Sequence, residues 1–173
     1  MVEIFQAILP ADLQDCRDLI REYTSWALSN QPNAENVPAF QGLDQELASL
    51  PGPYAPPRGR LLLARSGGIP AGCFALKPRG EGTGELKRLY VRPGFRGESI
   101  GLRLTERLVE EARGCGYRRL VLSSHKSMTR AHGIYEVAGF RKVLPPDGAP
   151  EAGNADAIFM EMQFGQGGSA PRD

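Results

Sequence analysis

The sequence has few of the residues that metal centres and disulfide frameworks require. Its 173 residues include two histidines and three cysteines, Cys16, Cys73 and Cys115, which stand far apart. They show neither metal-ligand spacing nor the pairing of a secreted disulfide scaffold, and unpaired cysteines are typical of a reducing compartment. The sequence therefore predicts no metal site and a cytoplasmic location.

Long apolar runs and an excess of charge of either sign are also missing. The longest apolar stretches have the length of a strand, whereas a membrane-spanning helix needs roughly 20 residues. Residues 1–6 lack the basic start and apolar run of a secretory signal. The formal net charge is +1, so no basic stripe is available to neutralise a phosphate backbone. We expect neither a membrane nor a nucleic acid as a partner.

What is present is the composition of one globular domain. Hydrophobic residues make up 41% and charged residues 24% of the chain, which is ordinary for such a domain. A chain of this length can bury a core without a disulfide or a structural metal. We place the domain at residues 1–164 and expect a flexible C-terminal tail at residues 165–173.

The order of the predicted elements indicates an α/β fold. A strand at 2–8 precedes a helix that Pro10 opens and that runs toward Leu28. A β-meander follows, and strands and helices then alternate. The later predicted strands are 61–64, 70–76, 85–91, 118–122, 140–144 and 158–164, and the later predicted helices are 100–115 and 127–138, with Ser127 as the N-cap. Such an order produces a mixed sheet with helices on its faces.

Residues 30–60 differ from the rest of the chain. Six prolines and several glycines leave room for one short helix, at 43–50. An irregular stretch of this length is either a disordered linker or a functional lid. Apolar residues recur along it at Phe40, Leu43, Leu47, Leu50 and Tyr54. We therefore favour a packed segment, called the lid below.

The clearest chemical signal lies at residues 89–101, Leu-Tyr-Val-Arg-Pro-Gly-Phe-Arg-Gly-Glu-Ser-Ile-Gly. A predicted strand runs here through a glycine-bearing loop into a helix. The first turn of a helix has free backbone N–H groups and the positive end of the helix dipole, which together bind phosphate. Gly97 and Gly101 would let the backbone approach such a ligand, and Arg96 adds a positive charge. The alternative to a phosphate site is a strand–turn–helix junction in which the glycines serve only packing.

Two other nucleotide-binding loops do not fit this stretch. A P-loop needs Gly-Lys-Ser/Thr at the start of the helix, where this chain has Ile100-Gly101-Leu102. A dinucleotide fingerprint needs three spaced glycines in an N-terminal βαβ unit and an acidic residue about 20 positions later. Neither requirement is met.

The stretch resembles the acetyl-CoA signature of the GNAT superfamily of N-acetyltransferases, Arg/Gln-x-x-Gly-x-Gly/Ala. Arg96 stands at its first position and Gly101 at its last, while Ser99 replaces the commonest glycine. Residues 131–140 resemble the family's Ala-x-x-x-Tyr-x-x-x-Gly-Phe segment. Met128 stands where many members have an asparagine that contacts pantetheine, so that contact is not expected. The resemblance covers residues 61–164.

The resemblance implies a GNAT fold, a twisted mixed sheet of seven strands flanked by helices and splayed between the fourth and fifth strands. It implies direct transfer of an acetyl group from acetyl-CoA, without a metal, to an amine of a small molecule or peptide, and it is compatible with a homodimer. The acceptor pocket is expected mainly from the lid and from residues 145–156. The implied cofactor-binding residues are Leu89, Tyr90, Val91, Arg96, Gly97, Glu98, Ser99, Ile100 and Gly101.

Two side chains are candidates for proton transfer. Tyr135 matches the tyrosine of the second segment, and the resemblance implies a general acid that protonates the departing CoA thiolate. Glu85 stands eleven residues before Arg96, where histone-type members have the general base that deprotonates the amine. The alternatives are a packing role for Tyr135, a Glu85 carboxylate paired with Lys87 or Arg88, and a water chain as the base.

The remaining ionisable residues give weaker expectations. Lys87 and Arg88 are adjacent in a predicted strand, so their side chains are expected on opposite faces. His125 is expected just past a strand end, near the site and with a minor role. His132 is expected on the surface of a helix. The spacing of the cysteines supports no acetyl-cysteine intermediate.

Two further functions stay open at the level of sequence. An acyl-CoA-binding sensor or partner-binding module with the same fold and no turnover would keep the cofactor loop, although the presence of Tyr135 argues against it. A transferase for a longer acyl chain would share every motif.

Overall fold

The computed structural model describes residues 1–165, except for the side chain of Ala39. Of the tail expected at 165–173, all but Gly165 lies outside the described residues. The described strands form one sheet in the spatial order β1-β2-β3-β4-β5-β7-β6. The strands are β1 Val2–Gln6, β2 Arg60–Ser66, β3 Ile69–Pro78, β4 Thr83–Val91, β5 Arg119–His125, β6 Arg141–Val143 and β7 Ala157–Gln163. The seven-stranded mixed sheet that the sequence predicts is confirmed.

Four α-helices flank the sheet, together with short 3-10 turns. They are α1 Pro10–Asn30, α2 Leu43–Ala48, α3 Ile100–Gly114 and α4 Thr129–Ala138. In the described part of the chain, no helix combines the length and the apolar composition that crossing a membrane requires.

Both faces of the sheet are buried, and β2 shows how. Because side chains alternate along a strand, Leu61 and Leu63 join the core under α1 and α2. Leu62 and Ala64 join the core under α3 and α4. The apolar stripe of α3, with Leu104 and the residues four apart from it, packs on this second face.

β4 and β5 separate after a short region of contact. They run parallel, and the paired residues are Thr83 with Arg119, Gly84 with Leu120 and Glu85 with Val121. Beyond these pairs β4 continues to Val91 and β5 to His125 without pairing with each other, while each remains paired with its other neighbour. The sheet therefore opens toward the carboxyl ends of these strands, which confirms the predicted splay.

β4 contains a bulge at Arg88. Cys73 of β3 lies opposite Tyr90 and Ala75 opposite Lys87, so β4 has one more residue than β3 in this interval. Arg88 has a φ of +67°, in the left-handed region that non-glycine residues rarely adopt.

The bulge interrupts the alternation of side chains. Leu86 joins the core under α3 and α4, whereas Arg88, two residues later, bonds to Glu46 of α2 on the other face. The expectation that Lys87 and Arg88 face opposite sides, which assumed regular alternation, is therefore wrong.

The lid is packed against the sheet, as expected. Leu47 and Tyr54 are buried in the core under α1 and α2. The carboxylate of Glu46 in α2 accepts hydrogen bonds from Nε and Nη2 of Arg88, at 3.1 and 2.8 Å, and from the Tyr54 hydroxyl. This ion pair is largely shielded from solvent, with 5% of the Arg88 side chain and 18% of the Glu46 side chain exposed. It connects the lid to the bulge of β4.

Two expectations about α4 are wrong. Met128 is its N-cap, not Ser127, whose hydroxyl lies 2.7 Å from Nδ1 of His125 instead. His132 is buried rather than exposed, because residues three apart share a helix face and Tyr135 turns that face toward the core. Burial, reinforced by the nearby charge of Lys142, lowers the pKa of His132 below its usual value.

Candidate functional site

A cleft of about 460 Å³ opens between the end of β4 and the N-termini of α3 and α4. Most of the predicted cofactor-binding residues line it, namely Leu89, Tyr90, Val91, Arg96, Gly97, Ser99, Ile100 and Gly101. Glu98 is not among the lining residues, since its carboxylate accepts a hydrogen bond from Ser66 Oγ at 2.8 Å. The N-terminal turn of α4 adds Ser127 to Ala131 to the wall.

Backbone amides at the start of α3 are available to an anion. Within residues 1–165, the N–H groups of Gly97 and of residues 99–102 donate to no protein acceptor. They lie at the positive end of the helix dipole, beside the guanidinium of Arg96 in the same cleft. Such an arrangement is suited to a pyrophosphate.

Gly101 permits the close approach of two helices at the cleft. A Cβ at this position would lie 2.9 Å from Cδ1 of Ile134 in α4, closer than carbon atoms pack. Ile134 itself lines the cleft. A larger residue at position 101 would therefore push into the space of a ligand or displace α4.

Ser99 occupies a backbone conformation that suits glycine better. Its φ is +56°, where a Cβ costs about 1–2 kcal/mol. We expect Ser99→Gly to increase the free energy of unfolding by about 0.5–1 kcal/mol, after the greater freedom of glycine in the unfolded chain is subtracted. Urea denaturation measures this. Ser49→Gly, at a φ of −94°, is the control and should gain nothing; an equal change in both variants would contradict strain at Ser99.

Tyr135 lies behind the wall of the cleft rather than in it. Ala131 and Ile134 of the same helix line the cleft, whereas the Tyr135 side chain is buried between Phe74 and Phe140, at ring-centroid distances of 6.2 and 5.9 Å. Burial raises the pKa of its phenol well above the usual value, with a further contribution from Tyr23. The phenol therefore keeps its proton at neutral pH.

A second cavity of about 80 Å³ lies where β4 and β5 diverge. Its floor comes from the two strands, and it contains Glu85. The lid contributes Gln31, Val37 and Phe40, and the loop at 145–156 contributes Glu151, Asn154 and Asp156. The two segments expected to build an acceptor pocket thus meet at one cavity.

Tyr23 of α1 lines both cavities, and reasoning from the sequence missed it. Its ring centroid lies 6.0 Å from that of Tyr90, 6.1 Å from that of Phe40 and 6.5 Å from that of Trp26. Trp26 also lines the cleft. Two aromatic residues three apart on one helix were the available signal, and no motif distinguished them from core residues.

Glu85 pairs across the sheet rather than along its own strand. Nζ of Lys77, its partner residue in β3, lies 3.7 Å from Oε2 of Glu85. The alternative considered for Glu85, an ion pair with Lys87 or Arg88, is replaced by this pair with Lys77, and Arg88 binds Glu46. Burial lowers the pKa of Lys87 below its usual value, and the charge of Glu85 partly offsets that effect.

Hydrogen bonds fix the tautomer of His125. The backbone N–H of Ser127 donates to Nδ1 at 3.2 Å, so the neutral imidazole carries its proton on Nε2. Nε2 is buried, has no hydrogen-bond partner among the described residues, and lies 3.9 Å from Oδ2 of Asp156. His125 therefore presents a donor, not a base, on the side of Asp156 and the second cavity.

Comparison with known proteins gives a consistent result. The Acetyltransferase (GNAT) family matches residues 13–140. An uncharacterized N-acetyltransferase of Schizosaccharomyces pombe is 35% identical over 146 residues, which are 83% of this chain and 85% of that protein.

Solved structures share the fold. The PaiA N-acetyltransferase of Thermoplasma acidophilum, in complex with coenzyme A, has a TM-score of 0.74 at 18% identity, covering 95% of this chain and 99% of that one. An acetyltransferase of the GNAT family from Staphylococcus aureus has a TM-score of 0.71 at 19% identity, covering 94% and 99%.

Proposed function

The chain belongs to the GNAT family of acetyltransferases and is an acetyl-CoA-dependent N-acetyltransferase, and from that premise we propose how its two cavities divide the reaction. The larger cleft binds acetyl-CoA and the smaller cavity binds the acceptor amine. The observation that carries this division is Tyr23, which lines both cavities where the sheet opens between β4 and β5. An amine in one cavity and a thioester in the other can meet only at such a junction.

In this proposal the start of α3 holds the pyrophosphate. The free amides at Gly97 and 99–102 donate to it, and Arg96 adds charge. The backbone of residues 89–91 holds the pantetheine arm and polarises the thioester carbonyl. The coenzyme A complex of the Thermoplasma protein supports this use of the fold.

In this proposal Glu85 accepts a proton from the acceptor's ammonium group, and Tyr135 donates a proton to the departing sulfur. Glu85 lies in the acceptor cavity and removes a proton from the ammonium group, which frees the nitrogen lone pair for attack on the carbonyl carbon. Tyr135 lies behind the cleft wall, where burial raises the pKa of its phenol, but near enough to Tyr23, which lines both cavities, for that residue to raise this pKa further, and we place the Tyr135 hydroxyl at the thioester sulfur. It donates a hydrogen bond, and then its proton, to the sulfur as the C–S bond breaks, and the second proton of the attacking nitrogen restores the phenol. Neither residue needs a metal ion for these steps. The three free cysteines support a proposed location in the cytoplasm.

The direct test is a screen of amines with detection of free CoA. It should contain amino acids, polyamines, aminoglycosides and peptides with free N-termini. Release of CoA that depends on an amine, with the acetylated amine identified by mass spectrometry, supports the proposal. Binding of acetyl-CoA without turnover on any amine would indicate an acyl-CoA sensor instead. A series of longer acyl-CoA thioesters tests the acyl preference.

Gly101→Val is expected to weaken acetyl-CoA binding at least about tenfold, because the added methyl groups enter the space beside Ile134. A ligand that binds only the folded state raises the melting temperature by mass action, so the variant should lose most of the shift that acetyl-CoA gives to the wild type. Gly114→Val is the matched control at the other end of α3, where nothing lies within 4 Å of an added Cβ. An undiminished shift in the Gly101 variant would contradict this placement of the cofactor.

A further inference from the structure

The acceptor cavity is the smaller cavity, between β4, β5 and the lid. It contains hydrogen-bond donors that no group of the described residues satisfies. Nε2 of Gln31 is buried and has no partner among the described residues, and the same holds for Nε2 of His125. Both residues line this cavity. The tautomer set by Ser127 makes the His125 nitrogen a donor, and the side-chain nitrogen of a glutamine is always one.

A positive charge lies in the same cavity. Lys87 lines it, and no carboxylate among the described residues lies within 4.0 Å of its Nζ. The nearby carboxylates are engaged elsewhere: Glu85 with Lys77, Glu46 with Arg88, and Asp156 with Lys126 at 2.5 Å. Burial lowers the pKa of this lysine, and an anion bound beside it in the same poorly solvated surroundings would favour its charged form.

Buried donors without acceptors are rare and are usually completed by a ligand or by water. Two donors and one ammonium group, in a cavity of about 80 Å³, suit one small anionic group. A carboxylate fits, because it has one negative charge and accepts several hydrogen bonds. The cavity has three acidic residues, of which Asp156 is paired with Lys126. The other two, Glu85 and Glu151, suit the ammonium group that must be present in the same acceptor.

We propose that the acceptor is a small aminocarboxylic acid whose carboxylate is bound by Gln31, Lys87 and His125 while its ammonium group faces Glu85. This inference rests on the proposed function, since it assigns the substrate class of the same cavity. It excludes polyamines and simple alkylamines as preferred acceptors, because these carry no group that would satisfy the three donors.

The test compares matched sets of acceptors that differ only at the carboxyl group. One set is leucine, leucinamide and 3-methylbutylamine; glycine and phenylalanine sets cover smaller and larger side chains. We expect kcat/KM for at least one amino acid to exceed that of its amide and its decarboxylated amine about tenfold or more, the usual worth of a hydrogen-bonded charge. Equal rates, or a preference for the uncharged members or for polyamines, would overturn the inference and leave N-acetyltransfer itself intact.

Variants assign the preference to the proposed residues. Lys87→Met and Gln31→Leu keep the approximate volume and should reduce the ratio of kcat/KM between the amino acid and its amide to within about threefold, mainly through KM. Lys142→Met removes an exposed lysine outside the cavity and should keep the ratio. A ratio that survives in the Lys87 and Gln31 variants would overturn the assignment. If no amine of any class is acetylated, the proposed function fails together with this inference.

Discussion

Glu85→Gln is expected to lower kcat/KM about 100-fold or more, with acetyl-CoA binding unchanged. The amide keeps the size of the side chain and its hydrogen-bonding capacity but cannot accept the proton of the ammonium group. The residue lies in the acceptor cavity, outside the cofactor cleft, so only the deprotonation step should be affected. Raising the pH should restore part of the rate, because more of the amine is then already neutral.

Glu81→Gln is the control for this variant, because Glu81 is an exposed residue of the turn before β4. It should leave both rate and pH profile unchanged. Activity of the Glu85 variant within a few-fold of wild type at neutral pH would show that this carboxylate is structural or merely electrostatic and does not accept the proton.

Tyr135→Phe is expected to lower turnover by about 10- to 1,000-fold, in the range usual for loss of a general acid. The ring and its packing against Phe74 and Phe140 remain, so folding and cofactor binding should be nearly unchanged. Burial raises the pKa of the phenol, so Tyr135 is protonated at neutral pH and can donate a hydrogen bond to the sulfur as negative charge develops there. The substitution should therefore slow only the step in which the C–S bond breaks.

Single-turnover kinetics are required, since release of CoA would mask a slower chemical step in the steady state. Tyr117→Phe is the matched control, because Tyr117 is also buried in the core under α3 and α4 but donates its hydroxyl to the carbonyl of Arg58 at 2.8 Å. The Tyr117→Phe variant should have a lower free energy of unfolding and an unchanged single-turnover rate. A Tyr135 variant with the wild-type single-turnover rate would reduce the residue to a packing role.

The sequence allows prediction of those parts of the site whose residues follow one another in the chain. Residues 89–101 form strand, loop and helix start in one stretch, so local chemistry alone brings Arg96, Gly97 and Gly101 to one cleft. The sheet could be predicted for a similar reason, since turns such as Gly67-Gly68 and the apolar stripe of α3 are local patterns.

The parts that were missed depend on contacts between distant residues. The ion pair of Lys77 with Glu85 follows from the register of β3 on β4, which no local pattern specifies. The bulge at Arg88 is explained by its bond to Glu46, 42 residues away. Tyr23 reaches both cavities because α1 packs across β3 and β4. The burial of His132 has a separate cause, the packing of α4 on the other face of the sheet.

The bond between Glu46 and Arg88 determines when the acceptor cavity is formed. The lid that walls this cavity is joined to the core by a largely buried ion pair and by Leu47 and Tyr54, so the conformational entropy of the lid is lost when the chain folds. Binding therefore requires little further ordering of the backbone, and more of the contact energy remains available as affinity. The shape of the cavity consequently depends on the core, and mutations under α1 and α2 should also alter acceptor choice.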